Sequence, residues 1–212
     1  MATVLLVRHG RTTANAAGIL AGRAPGVRLD EVGVAQANRT SERLAAVALS
    51  GVVTSPMERC RQTARIILAR QDGALKQSLA SGITEADYGE WQGRPLAELA
   101  REPLWSVVQS HPSQAVFPGG ESMAEMQRRS VAAIRRRDAA FDASHGTQAV
   151  WAAVSHADII KSILADALGM ELDRFQRIFV GPASVSIVRY GPGGPEVLAT
   201  NTDSGDLSWL RS

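Results

Sequence analysis

Residues 2–7, ATVLLV, are uniformly apolar and rich in β-branched side chains, the pattern of a strand covered on both faces. A loop carrying Gly18, Gly22, Pro25 and Gly26 follows. In LDEVGVAQANRTSERLAAVAL, the residues Val34, Ala37, Leu44 and Val47 recur at helical spacing, and Asp30 is placed to cap the helix. GVVTS predicts a second strand, closed by Ser55-Pro56, and MERCRQTARIILA a helix burying Ile66 and Ile67.

The pattern changes between about residues 70 and 120, where Gly82, Gly89, Gly93, Pro95, Pro103, Pro112, Pro118, Gly119 and Gly120 break up the chain. Such punctuation predicts a lid or cap rather than sheet, with short helices around 95–101 and 103–110. ESMAEMQRRSVAAIRRRDAAFDA then predicts a long helix with Glu121 in its first turn. AVWAAVS reads as a buried strand, HADIIKSILADALGM as a helix ended by Gly169, and SVSIVRYGPGGPEVLAT as a hairpin at the sheet margin. The expected fold is α/β: a mostly parallel central sheet with helices on both faces, a small helical and loop cap inserted around residues 80–120, and a C-terminal β-hairpin. One domain over residues 1–212 is expected.

In such sheets ligands sit beyond the carboxyl ends of the strands. VLLVRHG and AVWAAVSHAD each deliver a histidine there, and GVVTSPMER leads to an arginine one helical turn on. The topology therefore predicts that Arg8, His9, Arg59 and His156 converge on one crevice. His156 could equally cap the start of its helix, which is itself an anion site.

Composition narrows the chemistry. Apolar residues make up 45% and charged ones 21%, which excludes a disordered chain. The formal net charge is only +2, yet nearly every basic residue is arginine, the fork-shaped donor suited to phosphate and carboxylate. Aromatics are 5% and scattered, so no nucleic-acid stripe is expected. The single cysteine, Cys60, excludes an intramolecular disulfide and fits a buried helix position in a reducing compartment. The N-terminal apolar run is too short for a signal segment and no stretch has the length of a membrane span, so a cytoplasmic protein with no membrane partner is expected.

Two arginines and two histidines without a carboxylate suit a dianion. Guanidinium groups can grip phosphate oxygens while an unprotonated imidazole nitrogen attacks phosphorus. A leaving alkoxide needs a proton, and GITEADYGEWQG offers Glu85, Asp87 and Glu90 among glycines and aromatics.

These blocks resemble the histidine phosphatase superfamily, the phosphoglycerate-mutase-like proteins with an Arg-His-Gly signature. LVRHGRTTAN is similar to that signature, LDEVGVAQA to the family's first helix, and TSPMERCRQTA to its Ser-Pro-x-x-Arg-x-x-Gln-Thr-Ala segment. TEADYGEWQG is similar to its Glu-x-x-x-Gly-x-Trp-x-Gly block, PGGES to its Pro-Gly-Gly-Glu-Ser turn, and VSHADIIKSILADALGM to its second-histidine strand and helix. The resemblance implies His9 as the phosphorylated nucleophile, Arg8, Arg59 and His156 as the phosphate pocket, and Glu85 as the proton donor. It implies accessory roles for Thr12 and Asn15, no cofactor and no metal. Ala157 departs from the family's usual glycine after the second histidine and could narrow the pocket.

The function expected is a phosphomonoester hydrolase acting on a small phosphorylated substrate. RPLAELAREPLWSVVQSHPSQAVF lacks the Arg-Arg pair of the longer mutases, and Asp158 follows the second histidine as in family phosphatases. A phosphoglycerate mutase and a non-catalytic regulator that binds phosphorylated ligands are the alternatives. An exposed hairpin edge could pair with a second copy in a homodimer.

Overall fold

The computed structural model describes residues 2–71 and 75–203. The first apolar run forms β1 (Thr3–Arg8), and every interior residue of it is buried because it lies in the middle of a six-stranded sheet. A one-turn helix, α1 (Thr13–Ala16), follows, then α2 (Glu31–Leu44), β2 (Gly51–Thr54), α3 (Glu58–Leu68) and β3 (Gln77–Leu79). The cap carries α4 (Leu96–Leu99) and α5 (Pro103–Ser110). After it come α6 (Met123–His145), β4 (Val150–Ser155), α7 (Ala157–Ala167) and the hairpin β5 (Val185–Gly191) and β6 (Gly194–Thr202).

Strand order is β3-β2-β4-β1-β5-β6. The first four strands run parallel, while β5 lies antiparallel to β1 and β6 antiparallel to β5. Alternation along β1 explains the layers. Val4 and Leu6 face one way, into a core with Trp151, Ile134, Ile159 and Ile163. Leu5 and Val7 face the other way, into a core with Leu44, Ala64 and Ile67. Helices α6 and α7 therefore cover one face and α2 and α3 the other, as the sequence pattern predicts. Among the described residues no helix is long and apolar enough to cross a membrane.

Four local expectations need correction. Gln77–Leu79 lies within the stretch read as cap, yet it pairs in parallel with β2; three residues are too few to show an alternating pattern. Val34 is exposed, because α2 presents Gly33, Ala37, Thr40, Ser41 and Leu44 inward, and Val47 lies past the helix end. Ile67 is fully buried but Ile66 only half so. Glu121 precedes α6 rather than joining its first turn. Ser122 is the N-cap there, and its hydroxyl accepts from the Glu125 amide while the Glu125 carboxylate accepts from the Ser122 amide.

The loop after β1 is fixed by its seat on α2. Asp30 caps that helix through Gly33 N–H (2.7 Å) and also accepts from Arg11 Nε (2.8 Å). A threonine could provide the cap but not the ion pair. A Cβ on Gly10 would overlap the carbonyl oxygen of Gly33, and one on Gly33 would overlap that of Arg11. Backbone approach this close admits only glycine. Gly33→Ala is expected to lower stability by about 1–3 kcal/mol through overpacking; an unchanged urea midpoint would contradict the close approach.

Candidate active site

Parallel pairing brings the two histidines together. β1 and β4 align Arg8 with Ser155, so His9 and His156 leave adjacent strands side by side, with His9 N–H donating to Ser155 O. Their ring centroids lie 5.2 Å apart at a 67° interplanar angle. Arg59 comes from the first turn of α3 and is 2% exposed, with its guanidinium bonded to both rings. Its Nε donates to His9 Nε2 (3.2 Å), and its Nη2 to His156 Nδ1 (3.1 Å) and Gly22 O (2.8 Å).

These bonds fix the tautomers, since a guanidinium only donates. His9 therefore keeps its proton on Nδ1, bonded to Gly10 O at 2.8 Å, and holds a lone pair on Nε2. In His156 the proton is on Nε2 and directed to Ser55 Oγ (2.8 Å). Burial, reinforced by Arg59 and Arg8, holds both imidazoles well below their ordinary range, hence neutral. Arg8 Nη1 donates to Val180 O (2.7 Å). Arg8 Nε and Arg59 Nη1 are buried with no hydrogen-bond partner. Buried donors on two cations, unmatched beside a neutral nucleophilic nitrogen, are complementary to an oxyanion.

A cavity of about 180 Å³ opens above these groups. Arg8, His9, Arg59, Glu85, Thr12 and Asn15 all line it, whereas His156 is fully buried behind them. Asn15 Oδ1 accepts from both the amide and the hydroxyl of Thr12, which leaves its amide NH₂ for a ligand. Ala157 also lines the cavity.

Glu85 is 9% exposed and accepts from Ala86 N–H (3.0 Å). Burial, then the nearby Asp158 carboxylate, pushes it up to about 7, against the pull of Arg59. Its Oε2 lies 3.5 Å from His156 Nδ1, which is not an ion pair because that imidazole is neutral. A carboxyl group that still carries a proton near neutrality can serve as a general acid. Of the other two carboxylates left open by the sequence, Asp87 turns to Arg23 (3.1 Å), and Glu90 is not among the lining residues.

Several contacts of this site carried no signal in the sequence. Tyr88 Oη donates to Asp158 Oδ2 (2.7 Å), and both line the cavity. Arg23 Nε and Arg129 Nη2 both donate to Glu85 O (2.9 and 3.1 Å), and Glu121 binds both arginines and accepts from Asp87 N–H. This clamp fixes the backbone around the acid from α6 and from the first loop. PGGES flags Glu121 only as part of a turn; its partners lie at sequence distances of 98, 34 and 8. Trp91 stacks on Trp105 and meets Phe117 edge-on, consistent with packing inside the cap. Cys60 is buried, and burial pushes its thiol up to about 12, so it is no nucleophile at neutral pH.

A family model described as histidine phosphatase superfamily (branch 1) matches residues 4–203. The chain belongs to that superfamily. It is 32% identical over 167 residues to the adenosylcobalamin/alpha-ribazole phosphatase of Salmonella typhimurium, covering 78% of this chain and 79% of that one. It is 30% identical over 192 residues to the "probable phosphoglycerate mutase GpmB" of Yersinia pestis, covering 90% and 86%. Bacillus stearothermophilus YhfR shares the fold, with a TM-score of 0.86 at 24% identity over 96% of this chain and 98% of that one. The chain is thus an enzyme-family member with both phosphatase and mutase relatives.

In this member of the histidine phosphatase superfamily the buried acid has a thermodynamic signature. The folded state holds the Glu85 proton up to about pH 7, whereas an unfolded glutamate releases it near 4.5. Folding therefore favours the protonated form, and stability is lost as pH rises between those values. Glu85→Gln removes that penalty, so its melting temperature relative to wild type is expected to rise from pH 4 to pH 8. A pH-independent difference would contradict the raised acid.

Proposed function

We propose that this protein is a metal-independent phosphomonoester hydrolase acting through a phosphohistidine on His9. One observation carries the reading: His9 Nε2 carries a lone pair beside the cavity, fixed by the Nδ1 bond to Gly10 O and met by Arg59 Nε until a phosphoryl group takes over that donor, next to unmatched guanidinium donors of Arg8 and Arg59. A phosphoryl group bound by those donors would sit against Nε2. Its nitrogen–phosphorus bond forms as the bond from phosphorus to the ester oxygen breaks, and Glu85 gives its proton to the departing alkoxide. Water then attacks the phosphohistidine, Glu85 takes back a proton, and His9 leaves with its electron pair. Thr12 and Asn15 are accessory to the phosphate, and His156 supports it from behind Arg59. The positive charge of the two arginines supplies the stabilisation that a metal ion would otherwise provide.

A mutase reading has a specific support, the 30% identity to the Yersinia relative over most of the chain. Water as second acceptor is favoured by the absence of a paired-arginine block in the cap: Arg94 is bound to Glu102 (2.7 Å), and neither it nor Arg101 is among the residues lining the cavity. A non-catalytic binding role is disfavoured because His9 and Glu85 are both present and both reach the cavity.

Rapid-quench reaction with p-nitrophenyl phosphate in a metal chelator is expected to leave acid-labile phosphate on wild type and none on His9→Ala. Isomerisation of 3-phosphoglycerate outpacing phosphate release would favour the mutase. Arg8→Ala and Arg59→Lys are each expected to lower kcat by about 10²–10³-fold; near-normal turnover in either would remove it from the pocket. For Glu85→Gln, loss should be larger with alkyl phosphates than with p-nitrophenyl phosphate, whose leaving group hardly needs a proton. Alkyl ester turnover by wild type should fall as pH rises through about 7.

A further inference from the structure

Beyond the phosphate, the cavity wall is apolar and already built. Ile19, Leu20 and Ala21 come from the loop after α1, and Leu96 from the start of α4. Backbone bonds lock the two segments together: Leu20 N–H to Arg94 O (3.0 Å), Gly93 N–H to Leu20 O (2.8 Å) and Leu96 N–H to Gly18 O (2.8 Å). Leu96 is nevertheless 37% exposed, an aliphatic side chain held open at the mouth.

The charges around this wall are one-sided. Arg8 and Arg59 are the cations lining the cavity, and both belong to the phosphate end. The neighbouring arginines are committed elsewhere: Arg11 to Asp30, Arg23 to Asp87 and Glu121, and Arg94 to Glu102. The lining carboxyl groups are Glu85 and Asp158. A carboxylate on the substrate's leaving group would enter beside those acids with no counter-ion, and would lose hydration on apolar side chains. A cationic leaving group finds Asp158 already engaged, by Tyr88 Oη at 2.7 Å and Lys161 Nζ at 3.6 Å.

We propose that the cavity selects phosphomonoesters of an uncharged alcohol with an apolar face over phosphorylated carboxylic acids, and that Ile19, Leu20 and Leu96 set this preference. The inference rests on the proposed phosphate pocket, but it concerns binding and does not need turnover. Calorimetric titration with two non-hydrolysable phosphonates of matched linker, 2-phenylethylphosphonate and 2-carboxyethylphosphonate, tests it. Wild type is expected to bind the phenyl compound at least about tenfold more tightly, through apolar burial and the unpaired carboxylate of its competitor. Leu96→Arg, at a half-exposed position outside the reacting groups, is expected to narrow or reverse that ratio. Equal or tighter binding of the carboxyethyl compound by wild type overturns the proposal. Failure of both compounds to bind overturns it together with the phosphate pocket, and an unchanged ratio in Leu96→Arg removes Leu96 from the selection. A wild type that keeps the phenyl preference but never forms phosphohistidine overturns the hydrolase reading and leaves this one supported.

Discussion

The in-register parallel pairing of β1 with β4 is the constraint on which the site depends. It sets Arg8 opposite Ser155, and the next residue on each strand is a histidine. A slip of one residue would separate the two rings and would also turn Val4 and Leu6 out of one core and into the other. The same alternation that buries the strand thus fixes the depth at which His9 emerges. Packing and chemistry are held by one register.

Around that register the protein buries cationic groups without the usual carboxylate partner. Arg59 is almost wholly enclosed, and its bonds run to two neutral imidazoles and one carbonyl. Such an arrangement is costly in the absence of an anion, because a buried charge needs a counter-charge or a full set of hydrogen bonds. The surrounding fold supports it with a well-packed sheet on both sides, and with the Glu121 clamp holding the acid's backbone in place. A proton retained on Glu85 lets a carboxyl group share the enclosure with Arg59 without collapsing into an ion pair.

Much of this was legible in the sequence because it is local or follows from topology. Apolar runs mark β1, β2 and β4, and a parallel topology puts the residues just past them at one end of the sheet. Arg8, His9, Arg59, Glu85, Thr12 and Asn15 do line one cavity, with His156 beneath. What could not be read depends on distant partners. β3 is three residues long and is a strand only because β2 offers it an edge. Glu121 is a surface-like acid until Arg23 and Arg129 arrive from other elements. Val34 fits a helical stripe by spacing, but α2 is rotated by the Gly10–Gly33 contact so that smaller residues face inward. Tyr88 and Asp158 stand 70 positions apart in the chain and meet only through the tertiary fold.

The segment just before β5 wraps the end of β1. Val180 O holds the Arg8 guanidinium, Ala183 N–H bonds to His9 O, Arg8 N–H bonds to Ser184 O, and Thr40 Oγ ties Ala183 O to α2. Residues 180–184 are therefore a collar that seats Arg8 and His9. His9 is thus held by a segment more than 170 residues away in sequence as well as by its own strand pairing. Loosening of this collar would release the Arg8 guanidinium and the His9 backbone together, so the two groups keep or lose their placement as one unit.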